Sequence, residues 1–578
     1  MPHVADHLLL RPTLPTLPVV KSLSTSPPLN RNSVFLEQSL TAEELGARVG
    51  ELINVLGSLG LCAGDLAALG ARPTDVGAYL VSMLAVTALG GSLAPLNSRW
   101  STAEVHATIS HCGGVRVILL APEASIGRLL VVPEGEGNLI RSVAQHIIHL
   151  DIHQRVCPNT CAAVPSEERW DAKLLHAPDH TAVVCFTSGT TGASKGAALS
   201  HTALLTQSLT KITSLGYSPS DVYLNVAPLF HVGGLSYALA TTLAGSTHVC
   251  LAQDSFRPEE CLLAMAECKV TTFIAAPALL EGLSSANPSP ALDLAAGLPS
   301  VRMIALGAGA ALPATLARAR RRFPCAAIFT AYGMTEAGST IAMQELPQAG
   351  AGSPSAVPEG GDGGGARVGL PCPHAEVAIL MSNDQLAIGG EEGEVVTRGR
   401  HMMTGYWNDT KETAKAAFKD GWFRTGDLGR LDDNGYLWLM GRKKDVIRSG
   451  SENVHACEVE AKLAEHPGIK AAAVVGIPHS ALGEQIAALI VLESKWHWSD
   501  DHEHRKTGEY LTLKELQQHC SARGLSRYKL PRVVVAQVDA LPSDSVMGKV
   551  SKRAVRSYIL ASVDKSQRGQ SSSIRARL

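Results

Sequence analysis

Short runs of β-branched and other apolar residues recur between helical segments along most of the chain, and this alternation constrains the fold more than any other feature. "RVILLA" (116–121), "TAVVCF" (181–186), "VTTFIAA" (270–276) and "VRMIAL" (301–306) are too short for helices, and amphipathic text such as "ALPATLARARRRF" (311–323) lies between or after them. A strand that is apolar at successive positions is covered on both faces, which calls for parallel sheets with helices packed on each side. The expected class is therefore α/β. A chain of 578 residues exceeds what one hydrophobic core holds, so it should divide into domains.

Composition shifts set the divisions. Residues 1–33 hold several Pro, Ser and Thr and almost no acid; they read as a flexible leader, with an organelle transit segment as the functional alternative. A large N-terminal domain, 34–441, then opens with a helix entered through a capping box of Thr41 and Glu44, with Leu45, Val49, Leu52, Leu56 and Leu59 on one face. The apolar stretch Ala78 to Leu96 nears membrane-spanning length, but Gly90, Gly91 and Pro95 split it into a buried helix and a strand, so no membrane span is expected. Leu346 to Gly369 is too rich in Gly and Pro for a packed element and reads as a mobile loop. "GEVVTRG" and "DDNGYLWLM", around a tight turn at Asn434-Gly435, add a β-rich subdomain. From 442 to 560, strands ("AAAVVGI", "AALIVL") mix with helices ("ACEVEAKLAEH", "LTLKELQQHC") in a smaller α+β C-terminal domain, and 561–578 reads as a flexible tail.

A net charge of −2 lacks the positive field of a nucleic-acid binder, so no nucleic-acid partner is expected. The 12 cysteines form no paired framework, which suits a reducing compartment. His146, His149, His153, Cys157 and Cys161 have helix-face zinc spacing, but "IIHLDI" reads equally well as a strand, and an ordinary connection is the favoured reading.

"TSGTTGASKG", Thr187 to Gly196, offers backbone amides, hydroxyls and one lysine after a strand, the chemistry of an oxyanion site. Lys195 sits between Ser194 and Gly196, which disfavours the P-loop pattern, and a flexible surface loop is the bland alternative. Four other segments carry compatible chemistry. "AYGMTEAG" supplies Tyr332 as an aromatic face, Thr335 as a phosphate donor and Glu336 as a carboxylate able to hold Mg²⁺. "WFRTGDLG" supplies Asp427 for ribose hydroxyls, "GRKKDVIRSGSENV" places Arg442 where the domains meet, and "SDSVMGKVSKR" puts Lys549 on a Gly-containing turn. Singly, Tyr332 is as well explained by core packing, Asp427 by a turn and Lys549 by a solvated basic face.

Together, in this order, the segments resemble the acyl-adenylate-forming superfamily over about Val34 to Leu560. The resemblance implies ATP, Mg²⁺ and CoA as co-substrates and cofactor, and a small C-terminal domain that moves. Thr187, Ser188, Gly189, Thr190, Thr191, Gly192 and Lys195 would then clamp ATP phosphates, and Gly309, Tyr332, Gly333, Met334 and Thr335 would meet the nucleotide. Glu336 would hold the metal. Asp427 and Arg442 would contact ribose, Lys549 would bridge carboxylate and α-phosphate, and Lys444 would be the hinge. Catalysis would rest on Lys549, Lys195, Thr335 and Glu336. His231, Gly233, Gly234 and Gly307 would border the acyl pocket. Gly450, Ser451 and Glu452 would face CoA, although the family usually has Gly-Gly-Glu-Asn here, and an aromatic-Pro pair where this chain has His455-Ala456.

Within that superfamily, "DVYLNVAPLFHVGGLS", "FPCAAIFTAYGMTEA" and "KWHWSD" resemble the plant 2-succinylbenzoate:CoA ligases of phylloquinone synthesis. The expected reaction is activation of a small carboxylic acid as acyl-AMP and transfer to CoA. Fatty, medium-chain or aromatic acids are the alternative substrates, and a non-catalytic adenylate-binding scaffold is the alternative class. The terminal Ala576-Arg577-Leu578 is close to a peroxisomal address, and the leader makes the chloroplast the alternative location.

Overall fold

The computed structural model describes residues 18–25, 34–121, 142–150, 180–187, 194–251, 256–286, 297–309, 311, 313–347, 365–450, 452–499, 509–537, 540–542, 550–567 and 574–576. They form two compact units: residues 1–348, 369–377 and 397–423 make the first, and 349–368, 378–396 and 424–578 the second. The boundary read from sequence at 441/442 falls inside the second unit.

The first unit contains two sheets among the described residues. In one, the strand Thr181–Thr187 lies beside Ser92–Pro95, which pairs in parallel with Leu66–Gly70, then Val115–Leu120, then Ala144–His149. On the other edge of Thr181–Thr187 the chain turns back as the antiparallel strand Lys195–Ser200. In the other, Pro18–Thr25, Thr247–Leu251, Val222–Leu224, Thr272–Ala275, Met303–Leu306 and Ala327–Met334 run parallel in that spatial order, and Ser339–Leu346 follows antiparallel to the last. Of "IIHLDI", Ile147, Ile148 and His149 lie in the strand Ala144–His149, as the strand reading of that text has it; no metal-binding His/Cys/Asp/Glu group occurs among the described residues, and Asp151, Ile152, His153, Cys157 and Cys161 lie outside them.

Local chemistry sets the elements. Thr41 and Glu44 make the expected reciprocal capping box on the helix Ala42–Ser58, whose Leu45, Val49, Leu52 and Leu56 are buried. Ser101 with Glu104 and Thr512 with Glu515 do the same for Thr102–His111 and Leu513–Ala522. Within the apolar stretch from Ala78, the chain is a buried helix, Val76–Ala88, followed by the strand Ser92–Pro95, and no described helix is long and apolar enough to cross a membrane. The Gly/Pro-rich segment is shorter than its composition suggests: a strand starts at Ala366 and pairs Leu370 and Pro371 with Met343 and Ala342.

One ionic clamp holds the starts of three neighbouring strands inside the parallel sheet. Asp221, 2% exposed, accepts two hydrogen bonds from Arg302 at 2.7 Å, one from Thr271 Oγ1 at 2.8 Å and one from the Ser218 amide at 2.9 Å. Burial alone would raise its pKa, but the bonds from Arg302, Thr271 and Ser218 outweigh it and hold the carboxyl below the usual range. Asp221→Ala should cost about 2–4 kcal/mol in a urea titration, because it strands donors on three elements. As the folded pKa is depressed, this stabilisation is present above about pH 4 and lost as pH falls through the folded value.

In the second unit, Phe423–Leu431 and Leu437–Arg442 form a hairpin whose turn is held by Asp432 Oδ1, which accepts from the amides of Asn434 and Tyr436 at 3.0 and 2.9 Å. A further sheet pairs Ile469–His479 antiparallel to Gly483–Leu492, which runs parallel to Val533–Gln537. Its core gathers Val459, Leu463, Val474, Ile486, Ile490 and Leu516 beneath the helices Ala456–Ala464 and Leu513–Ala522. Part of the stretch read as a flexible tail is regular: the helix Lys552–Gln567 runs past 560, and Ile574–Ala576 pairs with Val533–Val535.

Candidate functional site

The Gly-rich segment joins two antiparallel strands rather than a strand and a helix. Thr187 stands opposite Lys195 in the register, and Ser200 then caps the helix His201–Leu215 through the Ala203 amide at 3.1 Å. Ser188, Gly189, Thr190, Thr191 and Gly192, read from the sequence as the phosphate clamp, lie outside the described residues.

Lys195 emerges at the end of that hairpin into a small polar network. Its ammonium ion-pairs with Glu412 and lies 5.1 Å from the centroid of the Tyr406 ring. Hydrogen bonds from Lys195 and then Lys415 hold the Glu412 carboxyl down to about 2. The Tyr406 hydroxyl donates to Glu336 Oε1 at 2.7 Å, and the Met403 amide donates to the Glu336 carbonyl at 2.7 Å. Residues 403–412 therefore hold both Lys195 and Glu336, although no sequence motif marked Tyr406 or Glu412.

Glu336 itself sits on a 3-10 turn, Thr335–Ala337, at the end of the strand Ala327–Met334. Tyr332 and Gly333 lie at a register shift in that strand, and a Cβ on Gly333 would stand 1.6 Å from the Ser339 carbonyl oxygen. Only glycine permits this approach, which is why the motif reads Tyr-Gly-Met-Thr-Glu. Tyr332 is 8% exposed and Glu336 9% exposed. A carboxylate with one oxygen held by a tyrosine fits Mg²⁺, which takes one or two carboxylates and completes its shell from phosphate and water. Glu336 would be the protein ligand, and the ion would neutralise phosphate charge.

His231 begins the helix Val232–Leu243, following Pro228, Leu229 and Phe230. Its Nε2 is shielded from solvent with no hydrogen-bond partner among the described residues, and burial, with a smaller contribution from Arg99, pushes the ring down to about 4. It is neutral at pH 7, with an open polar atom. The two glycines after it differ. A Cβ on Gly234 would meet the Pro228 carbonyl oxygen at 2.3 Å, so Gly234 serves packing, whereas one on Gly233 would meet nothing within 4 Å and borders open space. Gly307 and Gly309 follow the strand Met303–Leu306 and are likewise uncrowded, with nearest atoms at 3.8 Å (Ile274) and 3.9 Å (Pro277).

In the second unit, Asp427 and Arg442 are direct cross-strand partners, and Arg442 Nε lies 2.9 Å from Asp427 Oδ1. The structure thus brings together the two residues that sequence assigned to ribose from separate motifs. Lys443 pairs with Glu394 at 3.1 Å, while Lys444 is exposed on the turn Lys443–Asp445. Gly450 takes a left-handed φ of +67° before the exposed Glu452. Ser451 and Lys549 lie outside the described residues.

The family profile described as AMP-binding enzyme matches residues 24–407, and that of the AMP-binding enzyme C-terminal domain matches 458–546. The chain is 35% identical over 545 residues, 92% of its length and 94% of the relative's, to the 2-succinylbenzoate--CoA ligase, chloroplastic/peroxisomal, of Arabidopsis thaliana. It is 36% identical over 385 residues, 66% of its length and 68% of the relative's, to the indoleacetate--CoA ligase of Aromatoleum aromaticum. The solved amide bond synthetase McbA of Marinactinospora thermotolerans superposes with a TM-score of 0.74 at 26% identity, covering 96% of this chain and 99% of that one.

Proposed function

This chain belongs to the AMP-binding enzyme family and is an acid–thiol ligase acting with CoA, and from that premise we propose that its acid is 2-succinylbenzoate, activated with ATP for naphthoquinone synthesis of the phylloquinone type. The observation that carries the proposal is the 35% identity to the Arabidopsis ligase along 92% of the chain.

A carboxylate is a poor electrophile because its charge is delocalised. Its oxygen attacks the α-phosphorus of ATP and expels pyrophosphate; the CoA thiolate then attacks the acyl carbon and expels AMP. In this reading Thr335 and Lys549 donate to the α-phosphate where charge gathers, and fixed donors cost no reorganisation at that moment. Lys195 is held by Glu412 and Tyr406 at the mouth of the Gly-rich loop, ready to face phosphate. Asp427, aligned by Arg442, accepts from ribose hydroxyls. The open Nε2 of neutral His231 and the space beside Gly233 suit the acyl group. Gly450, Ser451 and Glu452 serve CoA, and Lys444 is the hinge. Mg²⁺ on Glu336 would neutralise phosphate charge when bound. The name of the Arabidopsis relative supports a peroxisomal or chloroplast address.

A second reading, an aromatic monocarboxylate such as an indole acid, has the 36% identity to the indoleacetate ligase in its favour. An acid panel separates the two. With ATP, Mg²⁺ and CoA, 2-succinylbenzoate should give thioester with kcat/KM at least about tenfold above indoleacetate, phenylacetate and octanoate. Turnover of those acids without 2-succinylbenzoate would reject the proposed substrate.

A further inference from the structure

The geometry points to Lys211 as the cation that receives the second carboxylate of a dicarboxylic substrate, fixing the preference of this ligase for a diacid over monoacids. The inference rests on the proposed 2-succinylbenzoate reading and deepens it.

Lys211 lies on the helix His201–Leu215 and is 0% exposed. Its ammonium donates to Ser236 Oγ at 2.8 Å and to Gln207 Oε1, and lies 5.0 Å from the centroid of the Tyr237 ring. All of these partners are neutral. Among the described residues, the titratable groups packed around it add no counter-charge: Tyr237 on the neighbouring helix and Cys372, pushed up to about 11, stay protonated, while burial pushes His374 down to about 4 and His401 to about 3. A buried ammonium without an anion is costly, and burial draws Lys211 itself down to about 7. A carboxylate arriving with the substrate would complete the pair and restore the charge.

The placement agrees with that role. Ser236 is three residues beyond Gly233, on the same face of the helix that starts at His231, and Gly233 borders open space. On its other side, the Gln207 side chain that accepts from Lys211 donates to the Ala337 and Thr340 carbonyls at 2.8 and 2.7 Å, just after Glu336. Lys211 therefore stands between the helix of the acyl site and the turn bearing Glu336. The alternative is a lysine that merely ties these elements together.

The test compares full-length wild type with Lys211→Met and Lys211→Gln, following thioester formation from 2-succinylbenzoate and from 4-oxo-4-phenylbutanoate and 2-butanoylbenzoate, each of which lacks one carboxyl. Truncating a desolvated charge pair predicts a loss of about 10²-fold in kcat/KM for the diacid, against about threefold for whichever monoacid is turned over. In wild type, the diacid-to-monoacid ratio of kcat/KM should fall as pH rises through about 7, because the free lysine is cationic below its pKa; this readout needs no variant. Equal losses on diacid and monoacid, an unchanged diacid rate, or a ratio flat with pH would overturn the role. Turnover of another dicarboxylate but not 2-succinylbenzoate would reject the substrate reading alone, and the same comparison on that acid would judge Lys211. Turnover of monoacids alone would reject both.

Discussion

Lys549→Ala is expected to slow acyl-adenylate formation by about 10²–10³-fold while leaving thioester formation from preformed acyl-AMP within about threefold. The asymmetry follows from where charge develops. When the carboxylate oxygen attacks the α-phosphorus, negative charge builds on the pentavalent centre, and a lysine fixed there is worth most in that transition state. In the second half-reaction the thiolate attacks carbon and AMP leaves, so a donor used for phosphorus has no comparable task. Rapid-quench measurement of pyrophosphate and of thioester from synthetic acyl-AMP separates the steps. Equal slowing of both would reject the assignment of Lys549 to the first step alone.

The second large effect is expected at Glu336. Glu336→Gln keeps the side chain's shape and its oxygen for the Tyr406 hydroxyl, now 2.7 Å away, but removes the charge. The adenylation rate should fall by about 10²-fold and half-saturation by Mg²⁺ should rise, since a neutral amide is a weaker ligand for a hard cation. Tyr406→Phe, which leaves the charge and removes only the hydrogen bond, should cost about tenfold or less. If the amide variant needed no more Mg²⁺ than wild type, Glu336 would not be the metal ligand.

Much of the architecture was legible because local chemistry decides it. The Thr41–Glu44 capping box, the apolar helix from Val76 and the α/β alternation need no tertiary information, and the structure contains all three. The site was legible only as isolated motifs. Asp427 and Arg442 sit in separate text, and their pairing follows from a hairpin register that the Asn434-Gly435 turn makes readable in retrospect. Glu412, which holds Lys195 from 217 positions away, and Tyr406, which holds Glu336 from 70 away, have no local signature; only the return of Gly405–Tyr406 to pair with Ala197 and Ala198 brings them in. Lys211 has no local signature either, because its burial is set by the packing of Ser236 and Tyr237 against it. Composition also misled at the tail, where a polar sequence was read as unstructured although the helix runs to Gln567.

The claim on which the rest depends is that the acid is activated by joining its carboxylate oxygen to AMP. Incubating the enzyme with ATP, CoA and 2-succinylbenzoate labelled with ¹⁸O in its carboxyl groups, then weighing the AMP by mass spectrometry, tests that bond directly. One ¹⁸O should appear in each AMP, since the oxygen that attacked phosphorus leaves with it when the thiol takes the acyl group. Unlabelled AMP, or label in phosphate alongside ADP, would contradict the account.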